Sequence, residues 1–382
     1  MRHSILARLY AVIAFAIVFA PVCVRAQSAT PISAAGADVT VVADGLANPR
    51  GFVWGGDGTL YLGLAGRGGT TPGPAGSPFS GGSTAGVVAI RSGTVTPLAT
   101  GLPSSIWSDI DWVWGVMDLA ILNGQLYALD GGGGAVHGNP ERPSGVYQIN
   151  ADGTATLVAD LGGWVDANPV AHTPPEGAPN GGSFFGMAPV GDALWVTDAV
   201  NGQVLRVTAD GAIDRVADLS LGHPVPSGIA ADPNGGAFVG TLTAAPFKEG
   251  AAKVLHVAAD GTVADVWTGL TTVTGVAVGN DGALYAAELS ATINGAQPDP
   301  TPGTGAIVRQ TGASSAAAVV VALDLPVAAR FGADGVLVVA EPAFGADDGS
   351  GRLLRIDLNE ALAGGTPISV VASAPPGATP PT

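Results

Sequence analysis

GGDGTLYLGLA (55–65), LNGQLYALDG (122–131), VGDALWVTDA (190–199), DPNGGAFVGT (232–241), GNDGALYAAE (279–288) and GADGVLVVAE (332–341) follow one plan. A glycine-rich turn opens each, an apolar strand follows, and the strand closes on a small or acidic residue. Self-similarity at this spacing is the signature of a propeller or solenoid, in which each repeat buries its faces only against its neighbours. After each copy comes a further strand, a second tight turn and a fourth strand, as in GVYQINADGTATLV (145–158), GQVLRVTADGAIDRV (202–216) and AKVLHVAADGTVADV (252–266). Asp-Gly between alternating runs is a strong hairpin signal, because glycine supplies the positive φ that such turns need. Each repeat therefore reads as a four-stranded antiparallel meander. Six of them predict an all-β, six-bladed β-propeller.

The fourth strands share an ending, seen in VADGL (42–46), LATGL (98–102), VADLG (158–162), VADLS (216–220), VWTGL (266–270) and VALDL (321–325). The first of these precedes every other strand. It is therefore expected to complete the last blade as its outer strand and close the ring, which removes a free sheet edge. PISVVAS (367–373) competes for that place, or else forms an extra edge strand or a docked tail.

Arg2 and Arg8 ahead of the apolar run LYAVIAFAIVFA (9–20), with Val24-Arg25-Ala26 as a cleavage site, read as a signal peptide over residues 1–26. Residues 27–37 read as a flexible leader, 38–373 as one propeller and 374–382 as a disordered tail. The expectation is a secreted or periplasmic monomer, free of the membrane once the signal is removed. Cys23 is the only cysteine and falls within the signal, so disulfides and thiolate ligands are excluded from the mature chain. Removing residues 1–26 leaves 12 Lys and Arg against 31 Asp and Glu, a net charge of −19. Such a surface repels nucleic acid, so the expected partners are a small molecule, a glycan or a protein.

In an antiparallel meander the second-to-third loops and the blade-to-blade connections share one face of the disc. All the long insertions are of these two kinds: 66–84, 101–112, 131–144, 161–183, 243–251 and 290–304. Long loops on a rigid scaffold carry function, so this face is the candidate working face.

Several stretches, VTVVADGLANPRGF (39–52), SFFGMAPVGDALWVTDAVNGQVLRV (183–207), SGIAADPNGGAFVGTLTAAPFKEGAAKVLHV (227–257) and VTGVAVGNDGALYAAEL (273–289), resemble the ScyD/ScyE family of exported six-bladed propellers, related to NHL-repeat and TolB-like propellers. The resemblance runs from about 39 to 358 and implies the fold and export. It transfers no catalytic motif. More distant propeller relatives include gluconolactonase-type metal-dependent lactonases and virginiamycin B lyase, whose sites lie over the central channel.

Aligning the second strands puts Leu64, Asp130, Asp198, Thr241, Glu288 and Glu341 at one position. An oxygen-rich ring there suits Ca²⁺ or another divalent cation, with Asp198, Glu288 and Glu341 as ligands. Alternatively each acid caps its own loop by accepting backbone N–H bonds. Arg50 is the only charge in its ring, whose other members on this alignment are Trp114, Phe185, Ser227, Thr274 and Ala329. It either binds an anionic group of a ligand through its planar fork or pairs internally with an acid. Trp112 and Trp114, in a long-face connection, either stack on a ligand ring or plug the loops onto the disc. His137, His223 and Asp198 are the candidate catalytic groups. No Gly-x-Ser-x-Gly, His-Glu-x-x-His, P-loop or Gly-x-Gly-x-x-Gly motif occurs. Two readings follow: a binding module acting through its long-loop face, or a metal-assisted lactonase, lyase or hydrolase over the channel.

Overall fold

A computed structural model describes residues 39–174, 181–293, 300–312, 314–346, 349–364 and 367–370. The expected signal (1–26), leader (27–37) and tail (374–382) lie outside the described residues. Among the described residues no helix is long and apolar enough to cross a membrane.

The strands form six antiparallel sheets arranged as the blades of a propeller. Blade 1 runs outward through Pro49–Trp54, Leu60–Leu64, Phe79–Arg91 and Thr94–Trp107, and blade 2 through Val116–Leu122, Gln125–Asp130, Gly145–Ile149 and Ala155–Asp160. Blade 3 comprises Phe184–Val190, Ala193–Asp198, Gln203–Thr208 and Ile213–Asp218, and blade 4 comprises Pro226–Ala231, Ala237–Thr241, Ala252–Val257 and Val263–Leu270. Blade 5 holds Val273–Val278, Leu284–Glu288, Gly305–Gln310 and Ala317–Leu323. Blade 6 holds Ala328–Phe331, Leu337–Glu341 and Gly351–Ile356, and Val39–Leu46 completes it, pairing antiparallel with Gly351–Ile356. The N-terminal strand thus closes the ring. The competing segment contributes Ile368–Ser369 as an extra strand, parallel to the outer strand of blade 5.

The shared fourth-strand ending proves to be a bulge. In every blade one aliphatic residue of that ending (Val42, Leu98, Val158, Val216, Val266 and Val320) is skipped in the register with the third strand. An extra residue at that point increases the local right-handed twist and bends the strand. The bulge also seats the next blade. A Cβ on the turn glycines Gly153, Gly211 and Gly261 would stand 2.4, 2.3 and 2.6 Å from the carbonyl oxygens of Leu98, Val158 and Val216, each on the preceding blade. Asp-Gly turns therefore serve both the hairpin and the blade-to-blade seam.

The blades pack through apolar side chains on their flat faces, such as Phe52, Leu62 and Leu353 between blades 6 and 1, and Phe184, Leu194 and Leu205 beside blade 2. Two stretches read as loop are strand: the third and fourth strands of blade 1 begin at Phe79 and run to Trp107, so their hairpin rises above the disc on the long-loop face. The described part of 161–183 contains the helical segment Leu161–Ala167, whose N-terminus is capped by Asp160 accepting from Gly163 N.

Val39, Ala43 and Leu46 of the closing strand are all buried. Deleting residues 1–46 removes these contacts and leaves the edge of Gly351–Ile356 unpaired, whereas deleting 1–37 does neither. The shorter chain is expected to lose its cooperative melt and to aggregate on size exclusion, while the longer one stays monomeric. An unchanged melt and elution for the chain starting at 47 would overturn this closure.

Candidate functional site

The six innermost strands line a central channel, and their register defines its rings. Phe52, Leu119, Met187, Ile229, Val276 and Ala329 each face the second-strand residue two before the strand-end position. Two residues earlier stand Arg50, Met117, Phe185, Ser227, Thr274 and Val327. Arg50 therefore keeps its place as the only charge in that ring, but two of its expected neighbours are corrected. Trp114 belongs to a short strand, Trp112–Trp114, that pairs with the blade 1 hairpin. Ala329 lies two residues further along its strand than the alignment placed it. The intermediate ring is Gly51, Asp118, Gly186, Gly228, Gly275 and Ala328, one carboxylate among residues with little or no side chain.

Asp118 fills the channel from blade 2. Both its oxygens lie 2.8 Å from Nη2 of Arg330, which reaches across from blade 6. Leu119 N and Met187 N each donate to the carboxylate at 2.8 Å, and Nη1 of Arg330 donates to the carbonyls of Phe52 and Leu119. One ion pair thus touches blades 6, 1, 2 and 3. Burial pushes the Asp118 carboxyl up, and Arg330 and the two N–H donors oppose that shift. Gly51 is glycine for a steric reason, since a Cβ there would stand 1.8 Å from Asp118 Oδ1. Hydroxyl groups continue the circuit. Thr197 Oγ1 donates to Ser227 O at 2.6 Å, Ser227 Oγ to Val273 O at 2.6 Å, and Thr274 Oγ1 to Pro326 O at 2.8 Å, each crossing from one blade to the next.

Arg50 closes the long-loop end of the channel and is fully buried. Its Nη1 donates to Pro49 O at 3.1 Å and its Nη2 to Val113 O at 2.9 Å, while Nε has no acceptor. Its Cζ lies 4.9 Å from the centre of the Trp112 ring. Among the described residues no carboxylate pairs with it, and burial lowers its pKa to about 9.

Above Arg50 lies an aromatic layer. Trp112 is buried, with Trp114, Phe185 and Phe344 around it at ring-centre distances of 5.6, 6.2 and 4.7 Å, and these three are half-buried. Trp114 Nε1 donates to Ser183 Oγ at 3.3 Å, whereas Trp112 Nε1 is buried without an acceptor. Phe79 continues the layer beneath Trp114, 5.0 Å away, and His137 stacks on Phe79 at 4.3 Å. His137 is 2% exposed, its Nδ1 lies 2.6 Å from Ser105 Oγ, and burial lowers its pKa to about 4, so it is neutral at physiological pH. Trp164 lies elsewhere, on the helical segment, with the Arg215 guanidinium 5.5 Å from its ring centre.

The strand-end acids do not encircle the channel mouth, because they sit on second strands, one layer out from the lining. Each holds a segment of its own blade. Asp198 accepts from Ser183 N at 2.9 Å and from the side chains of Asn201 and Gln203, Glu288 accepts from Thr271 N at 2.7 Å, and Glu341 accepts from Asp324 N at 3.0 Å. The three N–H donors all lie on the connection entering that blade's innermost strand. Asp130 accepts from Gly132 N at 2.9 Å, and Glu341 also pairs with Arg352. Burial pushes Glu288 and Glu341 up to about 7. Among the described residues no group of three or more His, Cys, Asp and Glu is placed to hold a metal ion. His223 does not line the channel; it lies half-buried in a connection, with a left-handed backbone at φ 48°.

No protein-family model matches the chain, and no curated protein matches it. Solved structures do. The gluconolactonase of Xanthomonas campestris is similar at 14% identity with a TM-score of 0.52, over 84% of this chain and 89% of that one. The soluble aldose sugar dehydrogenase of Escherichia coli is similar at 13% identity with a TM-score of 0.53, over 84% of this chain and 99% of that one. These likenesses are of fold alone, and the six antiparallel sheets make the chain a six-bladed β-propeller.

The Glu288 carboxyl has an ordinary value of 4.5 and sits near 7 in the folded chain. A raised carboxyl favours the protonated native state, so its stabilising share is complete below about 4.5 and is lost as pH rises to about 7. Glu288→Gln keeps an acceptor for Thr271 N without the charge. Urea unfolding from pH 4.5 to 8 is expected to show the two proteins equal at the acid end. At pH 8 the variant should be more stable by roughly 1–3 kcal/mol. A constant difference across the range would contradict the assignment.

Proposed function

We propose that this propeller binds a ring-shaped small molecule, a sugar or related cyclic polyol, on the aromatic layer at the centre of its long-loop face. The observation that carries this reading is the gathering of Trp112, Trp114, Phe185 and Phe344 over the channel mouth, with three of the four partly open to solvent. A flat apolar surface with indole N–H groups at its edge suits the face of a sugar ring and its hydroxyl oxygens. The names of the two structural neighbours, a gluconolactonase and a sugar dehydrogenase, support the same class of ligand. The resemblance to the ScyD/ScyE family supports a role outside the cytoplasm.

Binding without turnover is the reading the geometry favours. Asp198, Glu288 and Glu341 are each committed to a backbone N–H of their own blade, and His137 is enclosed beneath Trp114 and Phe79. An enzyme acting on such a ring is the second reading, favoured by the names of the neighbours.

Titration with D-glucose, cellobiose and D-glucono-1,5-lactone, followed by tryptophan fluorescence, separates the two. We expect a saturable change with at least one of them, weakened tenfold or more in the Trp114→Ala, Phe344→Ala double variant at unchanged melting temperature, and no lactone hydrolysis or dye reduction. Tenfold corresponds to about 1.4 kcal/mol, within reach of two stacking contacts. Turnover would establish the enzyme reading, and a flat fluorescence response to all three would remove the sugar site.

A further inference from the structure

Five oxygen atoms surround the Arg330 guanidinium. Its Nη2 lies 2.8 Å from each carboxylate oxygen of Asp118 and 3.3 Å from Met187 O, and its Nη1 donates to Phe52 O and, at 3.0 Å, to Leu119 O. Three of these acceptors are the carbonyls of one ring position repeated on blades 1, 2 and 3. The Phe52 ring, its centre 5.9 Å from Cζ, closes one side. Backbone carbonyls and a carboxylate gathered in this way are the donors that a hard cation takes as ligands.

The cage does not depend on Arg330 for its shape. Leu119 N and Met187 N fix Asp118, each donating at 2.8 Å, and Gly51 leaves room for it, since a Cβ there would stand 1.8 Å from Oδ1. The three carbonyls belong to strands paired in their own sheets. Charge then selects the occupant. The cage carries one negative charge, and Arg50 adds a positive one at the long-loop end of the same channel. A divalent ion in place of Arg330 would set three positive charges against one negative, whereas a single guanidinium brings the cage to neutrality. We infer that this cluster is a cation site of the propeller hub whose resident cation is the protein's own guanidinium, so that the channel takes a free cation only when Arg330 is removed. The cation it then takes is monovalent and planar. It enters by the half-open space that Arg330 lines and in which its side chain is 23% exposed. Any metal ion acting over this channel would have to displace Arg330 from all five oxygens.

Arg330→Ala vacates the cage. The test is its thermal unfolding at pH 7 in millimolar guanidinium or methylguanidinium chloride, far below denaturing concentrations, against sodium chloride at equal ionic strength. The variant is expected to melt below wild type and to regain about 2 °C or more, saturably, in the guanidinium salts only. Wild type should gain nothing, and the Asp118→Asn, Arg330→Ala double variant should lose the rescue. No rescue of Arg330→Ala, or an equal rescue in the double variant, would overturn the site. Wild-type crystals grown in manganese chloride supply a reading that does not depend on any variant folding. An anomalous peak at Asp118 overturns the built-in cation, and an undisturbed Arg330 with no peak there supports it.

Discussion

The Arg330–Asp118 ion pair in the central channel is the contact on which the rest of the structure depends. A propeller blade has no core of its own, so the ring holds only if each blade is tied to the next at the hub as well as along its flat faces. Arg330 reaches carbonyls on blades 1, 2 and 3 from its place on blade 6, and Asp118 takes an N–H from blade 3. The hydroxyls of Thr197, Ser227 and Thr274 carry the circuit through the remaining seams. Because Asp118 is buried and Arg330 only partly exposed, the pair contributes mainly through what its loss would strand: Asp118 without Arg330 would be an unpaired carboxylate inside the channel.

This arrangement separates structure from function by radius. The hub is spent on closure, and the second-strand acids are spent on the connections that feed each innermost strand. What remains for a ligand is the layer on top, where the connection from blade 1 to blade 2, the start of the blade 3 innermost strand and the second-to-third loop of blade 6 bring Trp112, Trp114, Phe185 and Phe344 together over Arg50. The ligand proposed above would therefore sit on the long-loop face, clear of the hub contacts and of the acids that hold the connections.

The fold was legible because the repeat is written in local chemistry. Turn glycines, alternating strands and the shared fourth-strand ending can be read within ten residues, and the N-terminal copy of that ending disclosed the closure. The site was legible in part. Arg50, Trp112 and Trp114 do meet at the channel mouth, but Phe185 and Phe344 join them through blade packing that sequence spacing does not encode. Asp118 escaped notice because the alignment set Trp114-Gly115 where Met117-Asp118 stands, and Arg330 because it set Ala329 in the place of Val327. A shift of that size moves Asp118 out of the lining, and a lone acid inside VMDLAIL was the available signal. The second-strand acids looked like a ring because the repeat aligns them, whereas distance from the axis is a tertiary property.

The most direct test of the account is a double-mutant cycle on Asp118→Asn and Arg330→Met, with stability measured by urea unfolding at pH 7. If the pair ties the hub, each single variant loses stability and the double variant recovers much of the loss, giving a coupling of roughly 2 kcal/mol or more. Additive single effects, with coupling within about 0.5 kcal/mol of zero, would contradict the claim that this ion pair holds the ring.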